Sequence, residues 1–147
     1  MISIVQRVTS ATVTTNDQSV SIGPGYLVLL GIHQADTPQD ARKLATKITA
    51  LRLMGDDQGK INLSLAQAGG QLLIVSQFSL YADLKGNNRP SFVKAADSQI
   101  ALPLYQQFVD YCRSTGLPVT TGFFGQLMQI NLTNDGPLTV IADSAKL

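Results

Sequence analysis

The sequence predicts a single α+β domain in which a mixed, curled β-sheet forms a barrel-like core beside two main helices. The 147 residues suit one domain, because typical domains hold on the order of 100 to 150 residues. Strand-like runs enclose two segments of helical periodicity, with no internal repeat, linker or low-complexity stretch between them. We therefore expect one hydrophobic core formed by residues 1–147.

The first part of the chain is typical of antiparallel strands. Residues 1–8 and 11–15 alternate like two strands, and residues 20–22 follow a polar stretch as a hairpin partner. Glycine and proline at 23–25 indicate a turn. The continuous apolar run 26–32 is typical of a strand buried on both faces, so we expect it at the centre of the sheet.

The first helix is predicted to begin at Thr37, because a capping hydroxyl is followed by Pro38 and by an acid at Asp40. The apolar stripe expected to face the sheet consists of Ala41, Leu44, Ala45, Ile48 and Leu51. The glycine-flanked stretch 55–59 contains two acids but lacks the ligand spacing of an EF-hand, which favours a plain turn. No metal is assigned.

The second half of the chain predicts strands around a second helix. Residues 71–80 form a strongly apolar strand, and residues 83–90 form a polar loop. Two closing strands, 127–132 and 138–142, are expected to flank a turn at 134–137.

The second helix is predicted from about Asp97 to Thr115, with Gly116 as its stop. Pro103 lacks a backbone donor, so this helix is expected to begin later or to be kinked. The inward stripe is expected to contain Ile100, Leu104, Phe108 and Tyr111 or Cys112.

The composition of the chain restricts the cellular compartment and the binding partners that we expect. The single cysteine excludes an internal disulfide, which favours a reducing compartment. No apolar run approaches the roughly 20 residues of a membrane span, and the N-terminus does not have a signal-peptide pattern, so a cytoplasmic protein is expected. A net charge of +1 does not by itself indicate nucleic-acid binding. Because only 14% of residues are charged, we expect a second copy to bury part of the surface.

Conventional covalent catalysis finds little support in the sequence. The only histidine, His33, ends the central strand with no serine or cysteine nearby, so a structural or exposed role is favoured. Cys112 lies in a helix stripe, which favours a buried, inert thiol. Phosphate-binding or dinucleotide-binding glycine loops are missing as well, and no cofactor is predicted.

Two short segments carry the strongest functional signals. In Ser76-Gln77-Phe78-Ser79-Leu80 an apolar strand abruptly becomes polar, at the position where α/β proteins often place binding groups. In Asn134-Asp135-Gly136-Pro137-Leu138-Thr139 a glycine and a proline stand between two strands. Each segment alone also fits an ordinary strand end or turn.

Together these segments resemble the D-aminoacyl-tRNA deacylase family, whose signatures are Ser-Gln-Phe-Thr-Leu and Asn-X-Gly-Pro-Val-Thr. The departures are Ser79 in place of Thr, Leu138 in place of Val, and Phe123 where Arg is common. The likeness covers essentially the whole chain and includes Val5-Gln6-Arg7-Val8 with Ala11 and Val13, Gly23-Pro24-Gly25, Asn62-Leu63-Ser64, Tyr81-Ala82-Asp83, Arg89-Pro90-Ser91-Phe92, and Phe124-Gly125 with Met128.

The resemblance implies a homodimer whose active sites are shared across the interface. It implies a cis bond at Gly136-Pro137, with the motif of one subunit entering the pocket of the other and Arg7 holding that loop. Main-chain carbonyls of Gly136 and Pro137 would then exclude an L-side chain by collision, while D-residues and glycine pass. Asn134 and Thr139 belong to the same motif and are expected to support it.

The resemblance also implies which groups carry the reaction. A backbone N–H near Phe78 or Ser79 is expected to serve as an oxyanion donor, with water positioned by the ribose 2′-hydroxyl of the tRNA. Ser76 and Gln77 are expected to contact the terminal adenosine or the amino group. The alternative is Ser79 as nucleophile, which lacks a nearby base.

Several residues keep two interpretations. Phe78, Phe124 and Met128 either belong to the core or line an adenine site. Lys85 and Arg89, in the stretch 85–89, and Lys94 nearby form the predicted RNA-facing patch, or else belong to a solvated loop. Two other functions remain open: a non-catalytic RNA-binding, translation-associated module, and an RNA-independent esterase using Ser79 or Thr139.

Overall fold

The computed structural model describes residues 1–86 and 88–147, so Asn87 of the predicted RNA-facing loop lies outside the described residues. The strands are β1 (Ile2–Thr14), β2 (Ser19–Ile22), β3 (Gly25–Gly31), β4 (Met54–Gly55), β5 (Ile61–Leu63), β6 (Gln71–Ser76), β7 (Val119–Thr121) and β8 (Gln129–Asp143). The helices are α1 (Pro38–Ala50), α2 (Leu65–Ala68) and α3 (Ser98–Arg113), with 3₁₀ turns at Phe78–Tyr81 and Ser144–Lys146.

The main sheet is mixed and has six strands. Strand β1 pairs antiparallel with β2, β3 and β8, whereas β3, β6 and β7 run parallel. Strand β2 also packs against β6 and β7, which lie beyond β3 in the strand order, so the sheet curls. The predicted α+β class with a curled, barrel-like sheet is confirmed, and β3 lies inside the sheet as expected.

Two hydrophobic clusters occupy the two faces of this sheet. Tyr26, Val28 and Leu30 of β3 belong to the cluster that packs against α1 and α3. Leu27, the alternate residue, belongs to the second cluster, which β1, β2, β3 and β6 form within the curl. The apolar run of β3 is continuous because both of its faces are buried.

Helix α1 begins as predicted. Thr37 caps it, and the Thr37 and Asp40 side chains form a reciprocal capping box. Four of the predicted inward residues, Ala41, Leu44, Ala45 and Ile48, are buried. The fifth, Leu51, lies just past the end of the helix and is only partly buried.

Helix α3 differs from the expectation in two ways. It begins at Ser98 and runs through Pro103, which lies on the exposed face, where water can bond the carbonyl that proline leaves without a partner. Ile100 is exposed, so its predicted inward position is wrong. Leu104, Phe108 and Cys112 are buried as predicted, together with Ala101, Tyr105 and Val109.

Three predicted strand boundaries are also wrong. The two N-terminal runs form the single strand β1, and the strand predicted over 71–80 ends at Ser76. The two closing strands form the single strand β8, with the 134–137 segment inside it as a bulge. The 55–59 stretch is a turn as predicted, and it joins the short hairpin of β4 and β5, which the sequence did not indicate.

Cys112 is fully buried, and burial raises the pKa of its thiol to about 12, so it is inert as predicted.

Within residues 1–86 and 88–147, no helix has both the length and the apolar character that crossing a membrane requires.

Candidate active site

The carboxyl ends of β3, β6 and β7 meet at one edge of the sheet because these strands are parallel. Ser76 ends β6 and pairs with Leu30 of β3. The Gln77 N–H then donates to the Leu30 carbonyl at 2.8 Å, and the chain turns into the Phe78–Tyr81 3₁₀ turn. The predicted catalytic residues Ser76, Gln77, Phe78 and Ser79 therefore lie at a strand end, as the change from apolar to polar residues indicated.

Within residues 1–86 and 88–147, the Ser79 hydroxyl has no hydrogen bond to a group that could act as a general base. The Gln77 side-chain amide donates a hydrogen bond to the Ser79 hydroxyl oxygen, and an amide cannot take up a proton at neutral pH. His33 is engaged elsewhere: its Nδ1 accepts from the Ala35 N–H at 3.1 Å, and its ring lies edge-on to Tyr81. These contacts are structural, as predicted for His33, and they leave the Ser79 hydroxyl poorly activated.

The backbone at the start of the 3₁₀ turn offers free donors. The N–H groups of Phe78 and Ser79 have no acceptor among the described residues, as the first N–H groups of a helical turn usually do not. Two adjacent main-chain donors beside Gln77 can stabilise negative charge on an oxygen. This geometry fits the predicted oxyanion donor.

Phe78 differs in burial from Phe124 and Met128, the other two residues with both a core and an adenine-site interpretation. The Phe78 side chain is 57% exposed and meets the Phe92 ring edge-on at 5.0 Å, so it does not belong to the core. Phe124 packs against Tyr105 with ring centroids 5.5 Å apart, and Met128 packs against the cluster inside the curl. Phe124 and Met128 are partly buried against the two hydrophobic clusters, whereas Phe78 is available for stacking; a role for any of the three in an adenine site stays a prediction.

The Gly136-Pro137 motif projects from β8 as a bulge. Gln6 pairs with Thr139 and Val8 pairs with Asn134, so Arg7 alone faces residues 135–138. The Gly136-Pro137 bond is cis, as the resemblance implied. Gly136 has a φ of +121°, and a β-carbon there would lie 3.2 Å from Arg7 Nη2, so only glycine suits the position.

Arg7 fixes this bulge from inside the protein. Its side chain is only 13% exposed, and its Nε lies 2.8 Å from the Asp135 carboxylate and donates to the Asp135 carbonyl at 3.3 Å. On the other side, Nη1 donates to the Leu53 carbonyl at 2.9 Å. The guanidinium thus ties the bulge to the segment that follows α1.

Asn134 closes the base of the bulge. Its amide nitrogen donates to the Arg7 carbonyl at 2.8 Å and to the Leu138 carbonyl at 3.0 Å. Thr139 donates to the Asn134 side-chain oxygen at 3.4 Å and accepts from Gln6 at 3.3 Å. The predicted supporting residues Arg7, Asn134 and Thr139 therefore surround the motif.

Tyr26 extends this network and was not predicted from the sequence, where it looks like an ordinary core residue. It is fully buried, and burial raises the pKa of its hydroxyl, so the hydroxyl stays protonated. That hydroxyl donates to the Leu51 carbonyl at 3.2 Å and accepts from the Leu53 N–H at 3.1 Å. Tyr26 thereby holds the segment that accepts the hydrogen bond of Arg7.

The bulge and the strand end are far apart within one chain. Ser76 is three strands away from β8, and Arg7 lies four residues further along β1 than Ser3, the residue level with Leu30 and Ser76. With strands about 4.8 Å apart and about 3.3 Å per residue, the separation along the sheet is about 20 Å. Along the sheet of one chain, the Gly136-Pro137 motif therefore lies well away from the strand end.

The predicted RNA-facing residues lie beyond the strand end on an exposed loop. The Asp83 and Ser91 backbones bond reciprocally and close this loop. Lys85 and Arg89 are exposed within it, and Lys94 lies 3.4 Å from the Asp83 carboxylate. The three cations share one side of the site, although Lys94 has an acidic partner.

This fold and site define a class of protein: an α+β domain with a curled mixed sheet, a polar strand end without a catalytic base, and a rigid Gly-Pro bulge. The family model described as D-Tyr-tRNA(Tyr) deacylase matches residues 4–143. The chain therefore belongs to the D-aminoacyl-tRNA deacylase family, which makes it a hydrolase.

Individual relatives agree with this assignment. A D-aminoacyl-tRNA deacylase of Chloroflexus aurantiacus is 49% identical over 148 residues, covering 100% of this chain and 92% of the relative. The one of Chlorobaculum parvum is 48% identical and 97% of each chain is covered. The assignment favours an enzyme over the non-catalytic module.

Two solved structures are similar in fold. The structure titled c-Myc DNA Unwinding Element Binding Protein has a TM-score of 0.90 at 38% identity, covering 97% of this chain and 98% of the other. The structure of a probable eukaryotic D-amino acid tRNA deacylase has a TM-score of 0.81 at 19% identity, covering 96% and 97%. The second likeness supports the fold alone.

Tyr26→Phe is expected to lower the free energy of unfolding by about 2 kcal/mol, because the Leu51 and Leu53 main-chain groups lose their buried partner. Urea denaturation of both proteins measures this loss. Tyr111→Phe is the matched control, since the Tyr111 hydroxyl has no hydrogen bond among the described residues. Equal losses in the two variants would contradict the assigned role of Tyr26.

Proposed function

We propose that the protein hydrolyses the ester between a D-amino acid, or glycine, and the 3′-terminal ribose of tRNA, and that it rejects L-aminoacyl-tRNA by steric exclusion. It acts as a homodimer in the cytoplasm, with each active site shared across the interface. The observation that carries this proposal is the rigid Gly136-Pro137 bulge, which Arg7 holds outside the reach of its own strand end.

The dimer is supported by the edge of the sheet. Strand β8 pairs with β1 on one side, and its other side has no strand partner in the described part of the chain. Ile141 on β8 is 70% exposed and Leu132 is exposed as well. A long edge strand with exposed apolar side chains is typical of an association surface, which supports burial of this edge by a second copy.

The chirality filter follows from what the bulge presents. Main-chain carbonyls of Gly136 and Pro137 stand close to the substrate α-carbon and leave no room for an L-side chain. A D-side chain points away toward solvent, so its identity is not selected. Glycine has no side chain to collide and is accepted. Selection therefore acts by excluding the wrong hand.

The reaction requires only modest rate acceleration by the protein, because an aminoacyl ester is already reactive. A water molecule, positioned by the ribose 2′-hydroxyl, attacks the ester carbonyl, and the N–H groups of Phe78 and Ser79 stabilise the oxyanion. The bond from the carbonyl carbon to the ribose oxygen then breaks, and that oxygen takes a proton. No cofactor takes part in this scheme.

The side chains at the strand end hold the substrate. Ser76 and Gln77 contact the terminal adenosine or the amino group, and the exposed Phe78 ring stacks on the adenine. The exposed cations Lys85 and Arg89, with Lys94, meet phosphates of the acceptor stem. These roles place the 3′ end at the sheet edge and the tRNA body outside it.

Arg7→Ala is expected to weaken discrimination, because the bulge loses both its carboxylate partner and its anchor at Leu53. Wild type should hydrolyse D-tyrosyl-tRNA and glycyl-tRNA but not L-tyrosyl-tRNA. The variant should lower the ratio of D to L rates by about tenfold or more, as expected for about 1.4 kcal/mol of lost selectivity. Arg113→Ala, which removes an exposed arginine of α3 that does not contact the bulge or its anchor, is the control. An unchanged ratio in Arg7→Ala would exclude this role of the bulge.

Ser79→Ala distinguishes a positional role from a nucleophilic one. Because Ser79 has no base, we expect the variant to keep at least about 1% of the wild-type rate, whereas loss of a nucleophile costs several orders of magnitude. Single-turnover hydrolysis of D-tyrosyl-tRNA measures the rate. Thr139→Ala is the parallel test of the other esterase candidate. Near-complete loss in Ser79→Ala, with cleavage of simple esters by wild type, would support covalent catalysis instead.

A further inference from the structure

Helix α1 presents a cationic surface that the proposed active site does not use. Arg42, Lys43 and Lys47 lie on its exposed side, opposite the buried stripe that packs on the sheet. These are three of the chain's eleven lysines and arginines, gathered within six residues. The cluster gives a protein of net charge +1 one distinctly positive face.

This face lines a groove of about 870 Å³ between α1, α3 and the C-terminal segment. The three cations form its polar wall, and Tyr111 and Leu147 provide apolar surface. A concave surface that combines cations with apolar area fits a ridge of phosphates and riboses better than a flat bilayer.

The three cations of this groove form no ion pairs in the part of the chain that the structure describes. Neither Arg42 nor Lys47 forms an ion pair within the described residues, and Lys43 donates to the Ser144 carbonyl at 3.0 Å. The nearest acid on the helix, Asp40, is occupied by Thr37 and Ser144, whose hydrogen bonds keep the pKa of its carboxyl below the usual value. Asp40 therefore stays ionised at neutral pH and offsets part of the charge at the start of the helix, whereas Arg42 and Lys47 keep their charge without an acidic partner among the described residues.

The groove begins at the same edge of the sheet as the proposed active site. Helix α1 starts a few residues after β3, and the His33 ring that follows β3 contacts Tyr81 of the 3₁₀ turn. From Pro38 to Ala50 the helix extends about 20 Å away from that edge. A nucleic acid whose 3′ end lies at the strand end can continue along this helix.

We propose that the α1 groove binds the phosphate backbone of the tRNA stem and forms a second RNA contact besides the 83–91 loop. The identity of this RNA rests on the proposed function, whereas the preference for a polyanion rests on the groove alone. A second copy of the chain fits poorly, because a two-fold axis at this face would set the same three cations against one another.

The test replaces Arg42 and Lys47 together by Gln. The control is Lys60→Gln with Arg113→Gln, which removes the same charge from exposed positions outside the groove. For D-tyrosyl-tRNA we expect the groove variant to raise KM on the order of tenfold and to lower the slope of log binding constant against log salt by about 2. Hydrolysis of the D-tyrosyl ester of adenosine, which has no phosphate backbone, should not change.

Three outcomes overturn the proposal. The first is that the groove variant matches the control in KM and salt slope. The second is that it loses activity on the adenosine ester to the same extent as on tRNA. The third outcome is that only binding to vesicles containing anionic lipid is lost, which assigns the groove to a membrane. If wild type hydrolyses neither ester, the proposed function fails, and binding of deacylated tRNA by the same variants still decides the role of the groove.

Discussion

The contact between Arg7 and the β8 bulge is the constraint on which the rest of the site depends. A guanidinium that is largely buried bonds Asp135 on one side and the Leu53 carbonyl on the other, so it needs both partners to offset its desolvation. Tyr26 holds Leu53 in place, and Asn134 closes the bulge from the opposite side. A short exposed segment thereby acquires a single shape. The proposed steric filter requires a fixed shape, because a bulge that moved aside would admit the L-side chain.

The strand end and the bulge have separate roles in the proposed site. In the proposed mechanism the strand end supplies main-chain donors and a substrate platform, whereas the bulge supplies a wall. The two elements are about 20 Å apart along the sheet of one chain. Neither half needs a reactive side chain: the Ser79 hydroxyl has an amide neighbour, Cys112 is buried, and His33 packs on Tyr81. Assembly of two copies, rather than activation of a residue, completes the proposed site.

Local patterns in the sequence predicted most of the fold. The errors occurred where contacts between residues far apart in the sequence determine the structure. The Thr37 cap, the β3 run and the buried side of α1 follow from nearest-neighbour chemistry and were predicted correctly. The continuity of β8 was missed because its bulge is stabilised by Arg7, far away in sequence. Ile100 was placed inward by its hydrophobicity, although the packing of α3 selects the neighbouring face. The two motifs of the candidate site were identified from the sequence by their resemblance to a family. Tyr26 could not be identified in this way, because only the tertiary structure brings its hydroxyl to Leu51 and Leu53.

Mixed dimers test the central claim most directly. Gln77→Ala impairs the strand end and leaves the bulge intact, whereas Arg7→Ala loosens the bulge and leaves the strand end intact. If each site combines the strand end of one subunit with the bulge of the other, the co-expressed heterodimer contains one fully intact site, and D-selective hydrolysis should return to about half the wild-type rate per dimer. A heterodimer whose rate and D-to-L ratio equal the average of the two parent variants would show that each chain filters chirality alone, and would contradict this account.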